Sequence, residues 1–261
     1  MKHIKILIKY IGYYIISKNE HSVHSPFVYN FVTNVIYKKK QSEDFVKIKR
    51  LKQHLFKLKD KINIVDFGAG SNINKSKERQ VKDIAINSAK NEKFGKLLYR
   101  TSQYSKAQNI LELGTSLAIS TCYLAKANPL GHIYSFEGCP ETIKIAKKNL
   151  AYLDINNVSI IEGDFKLTLE NKLKKIKTVD FVFIDGNHQE KATIQYFDLI
   201  LNYSHNDTIF IFDDIYWSKG MENAWNHIKN HEKSTVTIDL FFVGIVFIKK
   251  ELSKENFKIR F

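Results

Sequence analysis

From Asn109 onward, short runs rich in Ile, Val and Phe alternate with longer segments of helical period, and this rhythm limits the chain more than any other feature. Such alternation is the signature of repeated strand–helix–strand units around a parallel sheet. The strands are expected near Asn109 to Leu113, His132 to Glu137, Val158 to Glu162, Val179 to Asp185 and Thr208 to Asp213. Helices are expected between them and after the last, near 118 to 127, 140 to 153, 165 to 175, 189 to 203 and 219 to 231. Then the rhythm changes. Val236 to Leu240 and Phe242 to Lys249 are apolar runs with almost nothing between them, so one of the two should run antiparallel. The expectation is an α/β chain with a seven-stranded, mostly parallel sheet and helices on both faces.

Before Asn109 the segments are mainly helical (3 to 17, 26 to 37, 43 to 58, 79 to 90 and 93 to 105), with a strand-like run at Ile62 to Phe67. The division expected is a basic helical extension over residues 1–87 and a sheet domain over residues 88–261. Charge follows a similar division. The 261 residues carry a net charge of +14, but the first 108 hold 23 basic and 8 acidic residues, and the remainder 18 and 19. Lys outnumbers Arg heavily, as in a chain rich in Ile and Asn through coding bias, so the basic excess by itself does not identify a nucleic-acid partner.

Two cysteines, Cys122 and Cys139, supply neither a disulfide framework nor a zinc-ligand spacing, and a reducing, cytoplasmic setting is the default. Met1 to Ser17 is apolar but interrupted by Lys5 and Lys9, so it reads as neither an export signal nor a span. Ile4, Leu7, Ile8, Ile11 and Ile15 share a helical face. That face is expected to pack on its own domain or on a second subunit of a homodimer, in preference to a membrane surface.

Two glycine turns compete to be the ligand loop. Leu111-Glu112-Leu113-Gly114-Thr115-Ser116-Leu117-Ala118 has a strand before it, a helix after it, and Glu137 ending the next strand 23 residues beyond Gly114. Val65-Asp66-Phe67-Gly68-Ala69-Gly70-Ser71 lacks the helix and the acid, and reads either as a plain strand turn or as a loop edging the site.

Glu112-Leu113-Gly114-Thr115-Ser116, Ser135-Phe136-Glu137-Gly138, Gly163-Asp164-Phe165, Phe183-Ile184-Asp185-Gly186-Asn187-His188 and Phe212-Asp213-Asp214, in that order, resemble the motif series of class I S-adenosylmethionine-dependent methyltransferases. The similarity is greatest to the small-molecule O-methyltransferase branch that includes catechol and caffeoyl-CoA O-methyltransferases. It implies a Rossmann-like sheet, S-adenosylmethionine as cofactor and a small hydroxylated acceptor. Gly95 falls where that family places a helix covering the cofactor, and Ala118 stands where its loop commonly ends in glycine.

The ligand's chemistry then assigns roles. Glu137, followed by Gly138, is the expected ribose carboxylate, since two adjacent hydroxyls can donate to its two oxygens. Gly114 and Thr115, with Glu112 and Ser120 nearby, are placed at the methionine tail. Asp164 and Phe165 are placed at the adenine, with a helix cap as the alternative role for Asp164. Asp185, Asp213 and Asp214 end successive strands, and three clustered anions call for a cation such as Mg2+. His188 stands where the resemblance would place a lysine base, and reads as base (beside Asp185), further metal ligand or helix-start residue. His24, in His21-Ser22-Val23-His24-Ser25-Pro26, and Trp217 are candidate substrate contacts.

Two other functions remain open at this stage. An RNA or protein methyltransferase would use the basic N-terminal region, although Asp185-Gly186-Asn187-His188 lacks the Pro-Pro-aromatic run of amino-directed nucleic-acid enzymes. A non-catalytic cofactor-binding scaffold would accommodate the departures at Ala118 and His188.

Overall fold

Alternation within the strands decides which helices lie on which face. In β3 (Asn109–Leu113), Ile110 points into one core and Leu111 and Leu113 into the other. In β6 (Val179–Ile184), Phe181 and Phe183 face one way and Val182 and Ile184 the other; in β7 (Ser204–Asp213), Ile209 and Ile211 oppose Phe210 and Phe212. Buried on both faces, such strands need helices on both sides. The computed structural model describes residues 2–65, 77–88 and 91–261, and shows this arrangement.

The remaining strands are β4 (His132–Glu137), β5 (Val158–Glu162), β8 (Val236–Asp239), β9 (Val243–Phe247) and β10 (Glu255–Lys258). The sheet order is β10-β8-β9-β7-β6-β3-β4-β5, with β9 antiparallel to both neighbours. The seven strands expected are all present, and β10 adds an eighth at the edge, parallel to β8. A separate two-stranded ribbon pairs β1 (Lys61–Asn63) with β2 (Glu78–Gln80). Most of the Val65–Ser71 turn lies outside the described residues.

One face is covered by α2 (Pro26–Phe31), a π-helical turn over 32–36, α3 (Glu43–Leu55), α5 (Glu92–Ser105), α6 (Ile119–Ala127) and α7 (Pro140–Tyr152). The N-terminal helices therefore share the sheet's core: Phe31, Ile48 and Leu55 are buried with Ile110, Phe183 and Phe247. Arg100 holds the π-turn in place, donating from Nε to the Val35 carbonyl at 2.5 Å and from Nη2 to the Ile36 carbonyl at 3.0 Å. Those carbonyls end a helix, where a cation is favourable. Gly95 lies against Tyr123, where a Cβ would come within 2.3 Å of the ring, so this glycine sets the close approach of α5 to α6. The other face is covered by α8 (Phe165–Ile176), α9 (Glu190–Leu201) and α10 (Lys219–Asn230), with Trp225 fully buried.

α4 (Val81–Ser88), which follows the ribbon, adds Val81 and Ala85 to the same core as α3, whereas α1 (Lys2–Ile16) lies outside both clusters. Among the described residues, no helix is long and apolar enough to cross a membrane.

Candidate active site

The strand order sets the carboxyl ends of β7, β6, β3, β4 and β5 side by side, and with them Asp213, Asp185, Gly114, Glu137 and Asp164 in that sequence. Chain order reverses between β6 and β3, the crevice where open α/β sheets bind ligands. Two backbone contacts close that point. The Asp185 amide donates to the Leu113 carbonyl at 2.9 Å, and Gly114 has φ +107°, with a Cβ there falling 2.5 Å from the Asp185 carbonyl oxygen. No side chain fits at Gly114, so the turn presents bare backbone to the crevice.

The turn after Gly114 is fixed from below. Gly114 and Thr115 both donate their amides to the Phe136 carbonyl at 3.0 Å, and Thr115 Oγ1 lies 2.5 Å from Ser135 Oγ. Ser116 and Ala118 adopt φ of 47° and 62°. Ala118 thus takes the left-handed conformation that the glycine expected at this position would adopt at no cost, a strain of about 1 kcal/mol for alanine.

Glu112 is fully buried beneath the turn. Its carboxylate accepts from Ser120 Oγ, Thr121 Oγ1 and Ser135 Oγ, each at 2.6 Å. Burial pushes its pKa up to about 7, against the opposing pull of the three hydroxyls. Glu112 and Ser120 were expected near the methionine tail, and the structure makes them a brace joining β3, β4 and α6 beneath the Gly114 turn.

Glu137 lies at the mouth. Ser116 N–H donates to Oε2 at 2.7 Å and Cys139 N–H to Oε1 at 2.9 Å, with further help from the Gly138 amide. Burial raises its pKa above the usual carboxylate value while these amides pull it down. The Thr142 side chain also hydrogen-bonds this carboxylate, so a ribose diol would share its acceptor positions with these donors. Cys139 Sγ donates to the Asn63 carbonyl at 3.4 Å and accepts from Val65 N–H at 3.5 Å, which brings the start of the Val65–Ser71 turn beside Glu137.

On the far side of the crevice, Phe165 packs edge-on against Phe136 and Tyr196, and a Cβ on Gly186 would be 2.7 Å from its ring. The ring therefore stands directly over the backbone that follows Asp185. Asp164 caps α8 by accepting from Lys166 N–H at 3.0 Å, the alternative role its position suggested.

Asp185, His188 and Asp213 offer ligand atoms that all lie within 4.8 Å of one another. His188 Nε2 is 3.6 Å from Asp185 Oδ1. Of the expected set of Asp185, Asp213 and Asp214, the first two belong to this group and Asp214 does not, while His188, read as a further ligand among its alternatives, does. Successive strand residues face opposite ways, and Asp214 begins the next turn at φ 54°, accepting at its carbonyl from Trp217 N–H at 2.9 Å. Two carboxylates and an imidazole on adjacent strand ends are a fitting donor set for a hard divalent cation.

The candidate substrate contacts fall in two places. Trp217 is half-buried in the turn that follows Asp213. His24 is exposed and lines a groove of about 480 Å³ with Ile16, Lys229, Asp239 and Lys258, which contains none of the Asp185 cluster. The braces that sequence reasoning missed, Thr121, Ser135, the Ser116 and Cys139 amides, and Gly186, come from different elements or from backbone, and no local spacing announces them.

Residues 111–215 match the family described as "Methyltransferase domain". A catechol O-methyltransferase from Niastella koreensis is 30% identical over 124 residues, covering 46% of this chain and 55% of that protein. A protein-L-isoaspartate O-methyltransferase from Ignicoccus hospitalis is 29% identical over 68 residues, covering 26% of this chain and 32% of its own. The chain thus spans about half or less of the length of these curated relatives. Among solved structures, the S-adenosylhomocysteine-bound methyltransferase PaMTH1 of Podospora anserina superimposes with a TM-score of 0.62 at 14% identity, covering 87% of this chain and 98% of that one. The O-methyltransferase TomG of Streptomyces achromogenes, in complex with S-adenosylmethionine, gives 0.57 at 19% identity, covering 85% and 95%. The fold is that of the class I S-adenosylmethionine-dependent methyltransferases.

Proposed function

We propose that this chain is an S-adenosylmethionine-dependent O-methyltransferase that acts on a hydroxyl of a small acceptor, with a divalent cation such as Mg2+ held by Asp185, His188 and Asp213. The observation that carries the reading is the contact of Gly114 with the Asp185 backbone, because it sets the bare glycine turn and the carboxylate–imidazole group on adjacent strand ends.

S-adenosylmethionine, when bound, supplies a methyl group on a positive sulfonium. In this reading Glu137 would accept from the ribose hydroxyls and the Gly114 to Ser116 backbone would line the methionine tail, supported by the side-chain-free turn beside the Glu137 carboxylate. Phe165 offers an aromatic face beside the Glu137 side of the crevice. The sulfonium end would then point toward β6 and β7, where Asp185 and Asp213 provide negative charge.

A divalent cation in that group would make an acceptor hydroxyl more acidic and hold its oxygen in line with the methyl group. One ring nitrogen of His188 is among the clustered ligand atoms, which favours ligation over the role of base for that nitrogen. Trp217, on the turn following Asp213, would wall an acceptor ring in this reading.

Methyl transfer from labelled S-adenosylmethionine to a panel of catechols, hydroxycinnamates and other phenols, with Mg2+ or with EDTA, tests this reading. Transfer to a hydroxyl acceptor that falls at least about tenfold in EDTA supports it. Methylation only of RNA or protein would overturn it.

A further inference from the structure

Helix α1 is anchored through one side. Buried Tyr13 donates its hydroxyl to the Asp239 carbonyl at 3.0 Å and to that of Ile259. Ile4, Leu7, Ile8, Ile11 and Ile15, on another face, are 51–74% exposed, so the expectation that this stripe packs on its own domain is not met. The anchor sets the segment that follows α1 along the edge strand. Lys18 N–H donates to the Lys258 carbonyl at 2.8 Å, and Arg260 N–H to that of Lys18 at 2.9 Å. Between this segment, β8, β10 and the last turn of α10 lies the groove of about 480 Å³ that takes in His24.

The lining of this groove is predominantly cationic. Lys18, Lys229 and Lys258 come to it from three separate elements, and among the described residues none of the three ammonium groups closes an ion pair. Lys229 is half-buried, its Nζ 5.8 Å from the centre of the Trp225 ring. Burial lowers its pKa, Asp239 pulls the other way, and Lys258 adds to the lowering. Two acids line the same groove. Asp239 is already engaged, Oδ2 accepting from the Tyr216 hydroxyl at 2.6 Å and Oδ1 from Phe241 N–H at 2.8 Å, and Glu255 is exposed. Asn256 accepts from Thr237 Oγ1 at 2.5 Å, which leaves its amide nitrogen as a donor. Three cations against two carboxylates, one of them engaged, make a concave surface that favours an anion.

We propose that this groove binds a small molecule bearing a phosphoryl group, held by Lys18, Lys229 and Lys258 with Asn256 as a neutral donor. A phosphoryl group carries about two charges and three terminal oxygens, enough to meet three ammonium groups, which a single carboxylate is not. The groove is larger than a phosphoryl group alone, and Ile16 and Phe257 offer apolar walls to an organic body. The site is separate from the Asp185 cluster. Asp239 pairs with Gly244, and Gly244 on its other side with Phe212, which puts the groove two strand spacings, about 10 Å, from the end of β7.

Titration calorimetry with phenyl phosphate, orthophosphate and benzoate tests this, in EDTA so that no metal draws the anion to the Asp185 cluster. One phenyl phosphate should bind per chain with a dissociation constant below about 1 mM, more weakly in high salt, and benzoate at least about tenfold more weakly. Orthophosphate bound as tightly as phenyl phosphate identifies the free anion as the occupant, and bound more weakly an ester; either result supports the site. The double variant Lys18→Gln, Lys258→Gln should lose at least about tenfold in affinity for phenyl phosphate while keeping its circular dichroism and urea midpoint. Lys147→Gln, Lys148→Gln, which removes the same charge from exposed positions on α7, should bind within about twofold of the wild-type chain. No binding of phenyl phosphate, equal binding of benzoate, retained affinity in the first double variant or an equal loss in the second would overturn the proposal.

Discussion

A Cβ on Gly114 would stand 2.5 Å from the carbonyl oxygen of Asp185, so the ligand turn of β3 and the carboxylate end of β6 are locked together through backbone. At φ +107°, alanine at this position is strained even before the clash is counted. Gly114→Ala should lower stability by about 2 kcal/mol or more, read as a shift in urea midpoint. It should also weaken S-adenosylhomocysteine binding at least about tenfold.

The three-residue ligand group makes a discriminating prediction. Asp213→Asn should reduce Mn2+ binding about 10–100-fold, followed by the paramagnetic signal of free metal. Asp214→Asn, outside the group, should leave it within about twofold. Equal losses in the two variants would restore the set of three aspartates and displace His188.

Glu112 links the site's foundation to pH. Its folded-state pKa is raised to about 7, chiefly by burial, from a value of 4.5 when exposed. The folded chain therefore holds a proton that the unfolded chain has released between these values. The contribution to stability is fully present below about pH 4.5 and is lost as pH rises through about 7. Glu112→Gln, which preserves shape and hydroxyl contacts, should flatten that part of the stability curve. Urea midpoints at pH 5 and pH 8 for the two chains would measure it.

Strand ends were legible where both faces of a strand are buried. The ranges of β3, β4 and β5 follow directly from their apolar runs, whereas β7 extends back through the polar Ser204-His205-Asn206-Asp207 and β10 is a half-exposed edge strand around Asn256 and Phe257. Neither of these polar stretches carries a period to read. The same distinction holds in the site. Gly114, Glu137 and Asp185 could be named because each terminates a recognisable strand. Choosing between Asp213 and Asp214 requires knowing which face each presents at the last residue of β7, where a one-residue difference reverses direction. Glu112 belongs to the motif in sequence, yet its three hydroxyl partners come from α6 and β4, so its inward role becomes visible only after folding. For α1, the apolar period was plain, and its partner was not.

The most direct test of the central claim is titration calorimetry of the chain with S-adenosylhomocysteine, with and without Mg2+. The account predicts one site per chain, and a loss of about 10–100-fold in affinity for Glu137→Gln, the value of hydrogen bonds to a charged acceptor. No binding under either condition would contradict it.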